Sequence, residues 1–153
     1  MVLSFLPLPQ KMFAAVNEQS DTTQSFDDKT ALRISQAAIG NILGNYSLIK
    51  TDESRLTLES LRGKPMVISL IYTSCYHICP TTTRHLADVV RKARDVLGDD
   101  SFNVLTIGFD TARDTTDAMR QFAAQQNIDI PGWYFLSMDK QTMTGLTRDL
   151  GFI

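Results

Sequence analysis

Two cysteines among 153 residues are too few for a secreted scaffold held together by disulfides. No apolar run approaches the ~18 residues that a membrane-spanning helix needs. Charge of neither sign dominates, since 15 Lys and Arg stand against 17 Asp and Glu for a formal charge of −2. Nucleic-acid binding would call for a concentrated basic stripe, and the sequence gives it no support. No internal repeat is visible. What is present is an ordinary globular balance, 43% hydrophobic and 21% charged, which argues against a wholly disordered chain. A chain of this length forms one domain that buries roughly two-thirds of its unfolded surface, so neither a disulfide nor a metal is needed merely to fold.

The edges of the chain differ from its middle. Val2 to Leu8 is apolar and is followed by Ala14 and Ala15, faintly like the end of a signal peptide. It has no basic start, and Pro7 and Pro9 interrupt it, so an irregular arm or the remnant of a longer leader fits equally. Residues 16–30 are polar, acidic and rich in Ser, Thr and Gln, as in a linker. Ala31 to Leu43 has apolar residues at helical spacing, weakened by Gly40. The division is therefore an arm and linker over 1–43 and a compact domain over 44–153.

Within that domain the periodicity predicts a β-hairpin around the polar turn Thr51–Ser54, then a helical turn near Glu59–Arg62 closed by Gly63. The continuous apolar run Pro65–Tyr72 predicts a central strand buried on both faces. From Thr81 the period becomes helical, with Leu86, Val89, Val90, Ala93, Val96 and Leu97 inward and Arg94 among the polar positions. Phe102–Phe109 predicts a second buried strand, followed by a helix capped by Asp114 with Ala118, Met119, Phe122 and Ala123 on one face. Trp133–Leu136 predicts a third strand, and Asp139 caps a last helix with Met143, Leu146 and Leu150 inward and Gly151 at its end. A hairpin followed by β-α-β-α-β-α describes an α/β domain with parallel strands. The alternation calls for a further strand after Gly151, so the domain reads as incomplete at its C-terminus.

Cys75 and Cys79 fall between the 65–72 strand and the helix after it. The carboxyl end of a strand in an open α/β sheet is where ligands bind. A helix N-terminus there offers unpaired N–H groups that stabilise a thiolate. Positions i and i+4 share a helical face, so the two sulfurs are placed to form a disulfide or to clamp one soft metal ion, Cu(I) or Zn. The competing reading is a pair of ordinary buried cysteines, but both lie outside the apolar run, beside Ser74, Tyr76 and His77. His77 reads as a solvated loop residue and His85 as a surface or packing residue. Asp110, ending the neighbouring strand, reads either as a turn residue or as one that supports the site or docks a partner. Trp133 and Met143 read as core.

The stretch LRGKPMVISLIYTSCYHICPTTTRHL resembles the central segment of the Sco/SenC family of thioredoxin-like copper proteins. It has the Gly-Lys-Pro entry, the hydrophobic strand, Tyr-Thr-x-Cys-x-x-x-Cys-Pro and then a helix. IGFDTARDTTDAMRQFA is similar to the family's next strand and helix start, with Thr111 where the family pattern has Pro. The resemblance runs from about Gly44 to the end. It implies a thioredoxin-like fold with an N-terminal β-hairpin, lacking here its last strand or strands and helix. It implies a copper metallochaperone, with Cys75 and Cys79 as ligands to Cu(I) or Cu(II) and a histidine expected beyond Ile153 as the third. The implied partner is the cytochrome c oxidase subunit carrying CuA, or another copper protein. The implied location is the periplasm, free or membrane-anchored, or the mitochondrial intermembrane space, with no anchor visible in this chain. The alternative is a thiol-disulfide oxidoreductase whose Cys75/Cys79 pair is the redox-active group.

Overall fold

The computed structural model describes residues 27–152. The expectations for Val2–Leu8 and for most of the polar stretch 16–30 lie outside them. Helix α1 (Asp28–Ala37) begins earlier than its apolar spacing suggests, because the Asp27 carboxylate caps it by accepting from the N–H groups of Lys29 and Thr30 at 3.1 and 3.3 Å. A cap lies outside the apolar stripe and so escapes a reading by periodicity.

The hairpin forms as expected, from β1 (Ser47–Lys50) and β2 (Arg55–Thr57) with Leu48 opposite Leu56. A single 3-10 turn, Leu58–Leu61, follows. Strands β3 (Met66–Ile71), β4 (Asn103–Gly108) and β5 (Trp133–Ser137) alternate with helices α2 (Ile78–Leu97), α3 (Thr116–Gln126) and α4 (Lys140–Asp149). The five strands make one sheet in the order β2-β1-β5-β4-β3. The last three are parallel, and β1 joins β5 antiparallel.

Alternate residues of β4 serve the two faces of this sheet. Leu105 and Ile107 pack with Leu48, Leu136 and, from α4, Leu146. Val104 packs on the other side with Val90 of α2, and with Met119 and Phe122 of α3. Each fully buried aliphatic side chain of this kind contributes roughly 1.5–3 kcal/mol. Asp139 caps α4 through a 2.7 Å bond from the Thr142 N–H, as expected.

Three expectations are corrected. The fully buried central strand is β4, whereas β3 lies at the sheet edge and leaves Val67 38% exposed. The hairpin docks on β5 and so puts β4 and β5 inside, a matter of pairing that an apolar run does not report. Helix α2 turns a different face inward: Thr83, Ala87, Val90 and Arg94 are buried, while Val89, Val96 and Leu97 are exposed. Arg94 can be buried because its guanidinium donates to the backbone carbonyls of Phe102, at 3.1 Å, and of Pro131. Finally, α3 is capped by Thr115, whose hydroxyl accepts from the Ala118 N–H at 3.3 Å, and Asp114 is engaged elsewhere.

Candidate metal and redox site

Where β3 ends, the chain must leave the sheet without stranding polar backbone. The Cys75 N–H turns back to the Tyr72 carbonyl at 3.1 Å, which makes a tight turn of Thr73 and Ser74. Asp114, 1% exposed, holds this turn from behind. One of its oxygens accepts the Thr73 N–H and hydroxyl at 2.9 and 2.6 Å. The other accepts the Asp110 N–H at 2.8 Å, so a single buried carboxylate joins the loop after β3 to the loop after β4.

Helix α2 starts at Ile78, three residues before its apolar period becomes visible, which places Cys79 and Pro80 in its first turn. Proline suits that position, since its missing N–H is one that no helical carbonyl would accept. His77 at the N-cap gives no side-chain bond to the helix. The sulfur of Cys75 serves instead, accepting the Cys79 N–H at 3.4 Å. That N–H, the Cys79 thiol and the N–H groups of His77 and Ile78 stabilise the thiolate and draw Cys75 down to about 7. Cys79 packs against the cluster that contains Ile71 and Ala87. Burial pushes its thiol up, and the neighbouring Cys75 and Asp114 charges act in the same direction.

The structure thus brings Cys75 and Cys79 together as an unequal pair, both half-buried, one sulfur held by N–H groups at the helix start and the other packed against the core. His77 and His85 are both exposed. Among the described residues no group of three or more His, Cys, Asp or Glu side chains is placed to hold a metal ion. The donor set is therefore two thiols, which suits a soft ion such as Cu(I). Asp110 closes its own turn, accepting the Ala112 N–H at 3.2 Å and pairing with Arg113 at 2.8 Å, and Arg113 holds its carboxyl below the usual range. Trp133 is a core residue whose indole N–H reaches the Thr106 hydroxyl at 3.0 Å, and Met143 packs against the core on the α4 side.

Sequence reasoning missed the part of Asp114 in the site, because its partner Thr73 is 41 positions away. It also missed a cleft of about 500 Å³ that opens beside Cys75 between α2 and α3. Arg84, Gln121 and Gln126 help to line it, and nothing in their spacing marks them out. Tyr76 and Ile78, lying between the two cysteines, are 85% and 74% exposed.

A parallel core, a hairpin on one side, and paired thiols where a strand gives way to a helix define a thioredoxin-like α/β domain whose candidate site is the thiol pair. Residues 35–148 match the SCO1/SenC family model, and the chain belongs to that family. A curated SCO1 protein homolog of Bacillus subtilis (strain 168) is 32% identical over 92 residues, which are 60% of this chain and 47% of that one. The mitochondrial SCO1 homolog 1 of Arabidopsis thaliana is 33% identical over 90 residues, 59% of this chain and 26% of that protein. The matched stretch spans less than half the length of either relative. Among solved structures, Bradyrhizobium japonicum ScoI with copper bound has 28% identity and a TM-score of 0.60, over 71% of this chain and 66% of that one. No helix of the described residues is long and apolar enough to cross a membrane.

Proposed function

We propose that this chain is a copper metallochaperone for assembly of the CuA site of cytochrome c oxidase, with Cys75 and Cys79 as thiolate ligands. The observation that carries the reading is the pair itself, two thiols four positions apart with one sulfur on the first turn of a helix. Membership of the SCO1/SenC family and a copper-bound relative support it. Copper is cargo here. Two thiolates satisfy Cu(I), while Cu(II) prefers nitrogen and oxygen donors, so the described residues favour the reduced ion. A thiol near 7 gives up its proton to a metal at neutral pH with little penalty. Release proceeds by ligand exchange, with acceptor groups replacing Cys75 and Cys79 one at a time. The histidine expected beyond Ile153 would add a third ligand and allow Cu(II) to be held. The partner is the CuA-bearing subunit or another copper protein. The setting is the periplasm, free or membrane-anchored, or the mitochondrial intermembrane space, the latter in keeping with a mitochondrial relative.

Titration of the reduced protein with Cu(I) against a chromophoric chelator tests this reading. One Cu(I) per chain is expected. Cys75→Ala and Cys79→Ala should each lower the affinity by more than the roughly 10–100-fold that loss of a mere supporting residue costs, since each removes one of two ligands. Variants at His77 or His85 should match the parent, and the oxidised disulfide form should bind no Cu(I). Failure of the reduced parent to bind Cu(I) overturns the proposal.

The inequality of the two thiols favours a second reading, a thiol-disulfide oxidoreductase in which Cys75, the more readily ionised thiol, meets the substrate and Cys79 resolves the mixed disulfide. Reduction of an oxidised acceptor peptide by metal-free protein, lost in both cysteine variants, would select it.

A further inference from the structure

The cleft beside Cys75 is built for more than a metal ion. Its lining includes Cys75, Tyr76, Arg84, Gln121, Gln125 and Gln126, and no carboxylate among the described residues. Among the described residues Arg84 takes part in no ion pair, unlike Arg91, Arg113 and Arg120, each of which meets an aspartate on its own helix or turn. Instead its guanidinium donates to the Oε1 of Gln126 at 2.9 Å and to the Thr81 hydroxyl at 3.4 Å. Gln126 is buried, so it holds the guanidinium in place from the α3 side. Two neutral acceptors engage only part of a fork that carries five N–H donors. The remainder faces a site that is open to a carboxylate.

The other groups point to a peptide. Gln121 and Gln125 are exposed carboxamides along one wall, each able to donate and accept, as a passing backbone requires. Tyr76, exposed at the rim, offers an aromatic face of the kind that anchors interfaces. The volume of about 500 Å³ lies within the range of roughly 300–1,000 Å³ of ligand sites.

We propose that this cleft receives a cysteine-bearing, acidic segment of the acceptor protein, with Arg84 pairing a carboxylate next to the incoming cysteine and so bringing that thiol to Cys75. The inference rests on the acceptor-docking role of the Cys75/Cys79 site and adds the chemistry by which the acceptor is recognised. A charge at the rim of an interface acts chiefly on selectivity and encounter rate, so Arg84 is a docking and specificity residue rather than a metal ligand.

The test uses the reduced, metal-free protein in the presence of a phosphine reductant, so neither copper loading nor disulfide exchange enters. Two fluorescent peptides are titrated, each with one cysteine and identical except for Glu or Gln beside it. The acidic peptide should bind about threefold or more tightly at low salt, and the advantage should shrink as salt rises. Arg84→Gln should abolish the difference, whereas Tyr76→Ala should weaken both peptides equally. Both positions are exposed, and circular dichroism checks that each variant folds. Equal affinities for the two peptides, an acidic preference that survives Arg84→Gln, or no binding of either peptide overturns the proposal. Glutathione displacing the acidic peptide at equal concentration would assign the cleft to small acidic thiols and overturn it as well. None of these outcomes bears on Cu(I) affinity, so failure here is distinguishable from failure of the copper reading.

Discussion

Asp114 and Thr73 are 41 positions apart, yet one carboxylate oxygen of Asp114 accepts both the N–H and the hydroxyl of Thr73, at 2.9 and 2.6 Å. Since the second oxygen takes the Asp110 N–H, the two loops that flank the thiol pair share one support. Asp114→Ala leaves the Thr73 and Asp110 N–H groups without their acceptor and should destabilise the protein by about 1–3 kcal/mol. Asp114→Asn keeps the shape and one acceptor, so its loss should be smaller. Denaturant unfolding measures both. If the loops are coupled through this carboxylate, both variants should also change the alkylation rate of Cys75.

Gly108 closes β4 at the point where Asp114 packs against the strand. A Cβ there would collide with the Asp114 Cβ and stand 3.0 Å from the Met119 sulfur. Gly108→Ala should therefore force Asp114 off the Thr73 turn and destabilise by about 1–3 kcal/mol, as overpacked sites do. A variant as stable as the parent would show that the backbone here yields more easily than its packing suggests.

The two thiols should titrate apart. Cys75 is drawn to about 7 by the N–H groups at the start of α2, and burial pushes Cys79 up. The thiolate is the nucleophile, so alkylation of Cys75 by iodoacetamide should rise with pH through a midpoint near 7, while Cys79 reacts later and more slowly. Mass spectrometry of the modified peptides assigns each rate. A common midpoint for both cysteines, at the value of a free thiol, would remove the asymmetry from the mechanism.

Asp149, in the last turn of α4, accepts the Tyr46 hydroxyl at 2.5 Å and the Gly44 N–H at 3.2 Å. These bonds favour the ionised carboxylate and hold its pKa below the ordinary value. A lowered folded-state value adds stability above the unfolded pKa, which is lost as pH falls through the folded one. Asp149→Asn should thus lower the melting temperature at neutral pH. The gap between parent and variant should narrow below about pH 4, where an ordinary carboxylate begins to protonate. Melts recorded from pH 7 to pH 3 check the trend.

Much of this was legible along the chain, because it depended on near neighbours. The alternation at Leu48 and Leu56, the Ile- and Val-rich runs, the cap at Asp139 and the pairing of Cys75 with Cys79 all act over a few residues. Periodicity and spacing report such distances directly. The order of elements and the position of the thiols at a strand–helix junction follow from them.

What the tertiary structure decided is which surfaces meet. The run Pro65–Tyr72 is as apolar as a central strand, but its neighbours were chosen when the hairpin paired with β5, and β3 was left at the edge. Arg94 is charged and yet buried, because the Pro131 carbonyl, 37 residues on, joins the nearer Phe102 carbonyl in accepting from its guanidinium. Asp114 stands where a helix cap would stand, but Thr115 takes the cap and frees the carboxylate for Thr73. Arg84 acquires its place at the cleft only when Gln126, 42 residues on, is packed beneath it. Each depends on hydrogen bonds closed across long stretches of chain, and no local pattern encodes a partner that only folding brings within 3 Å.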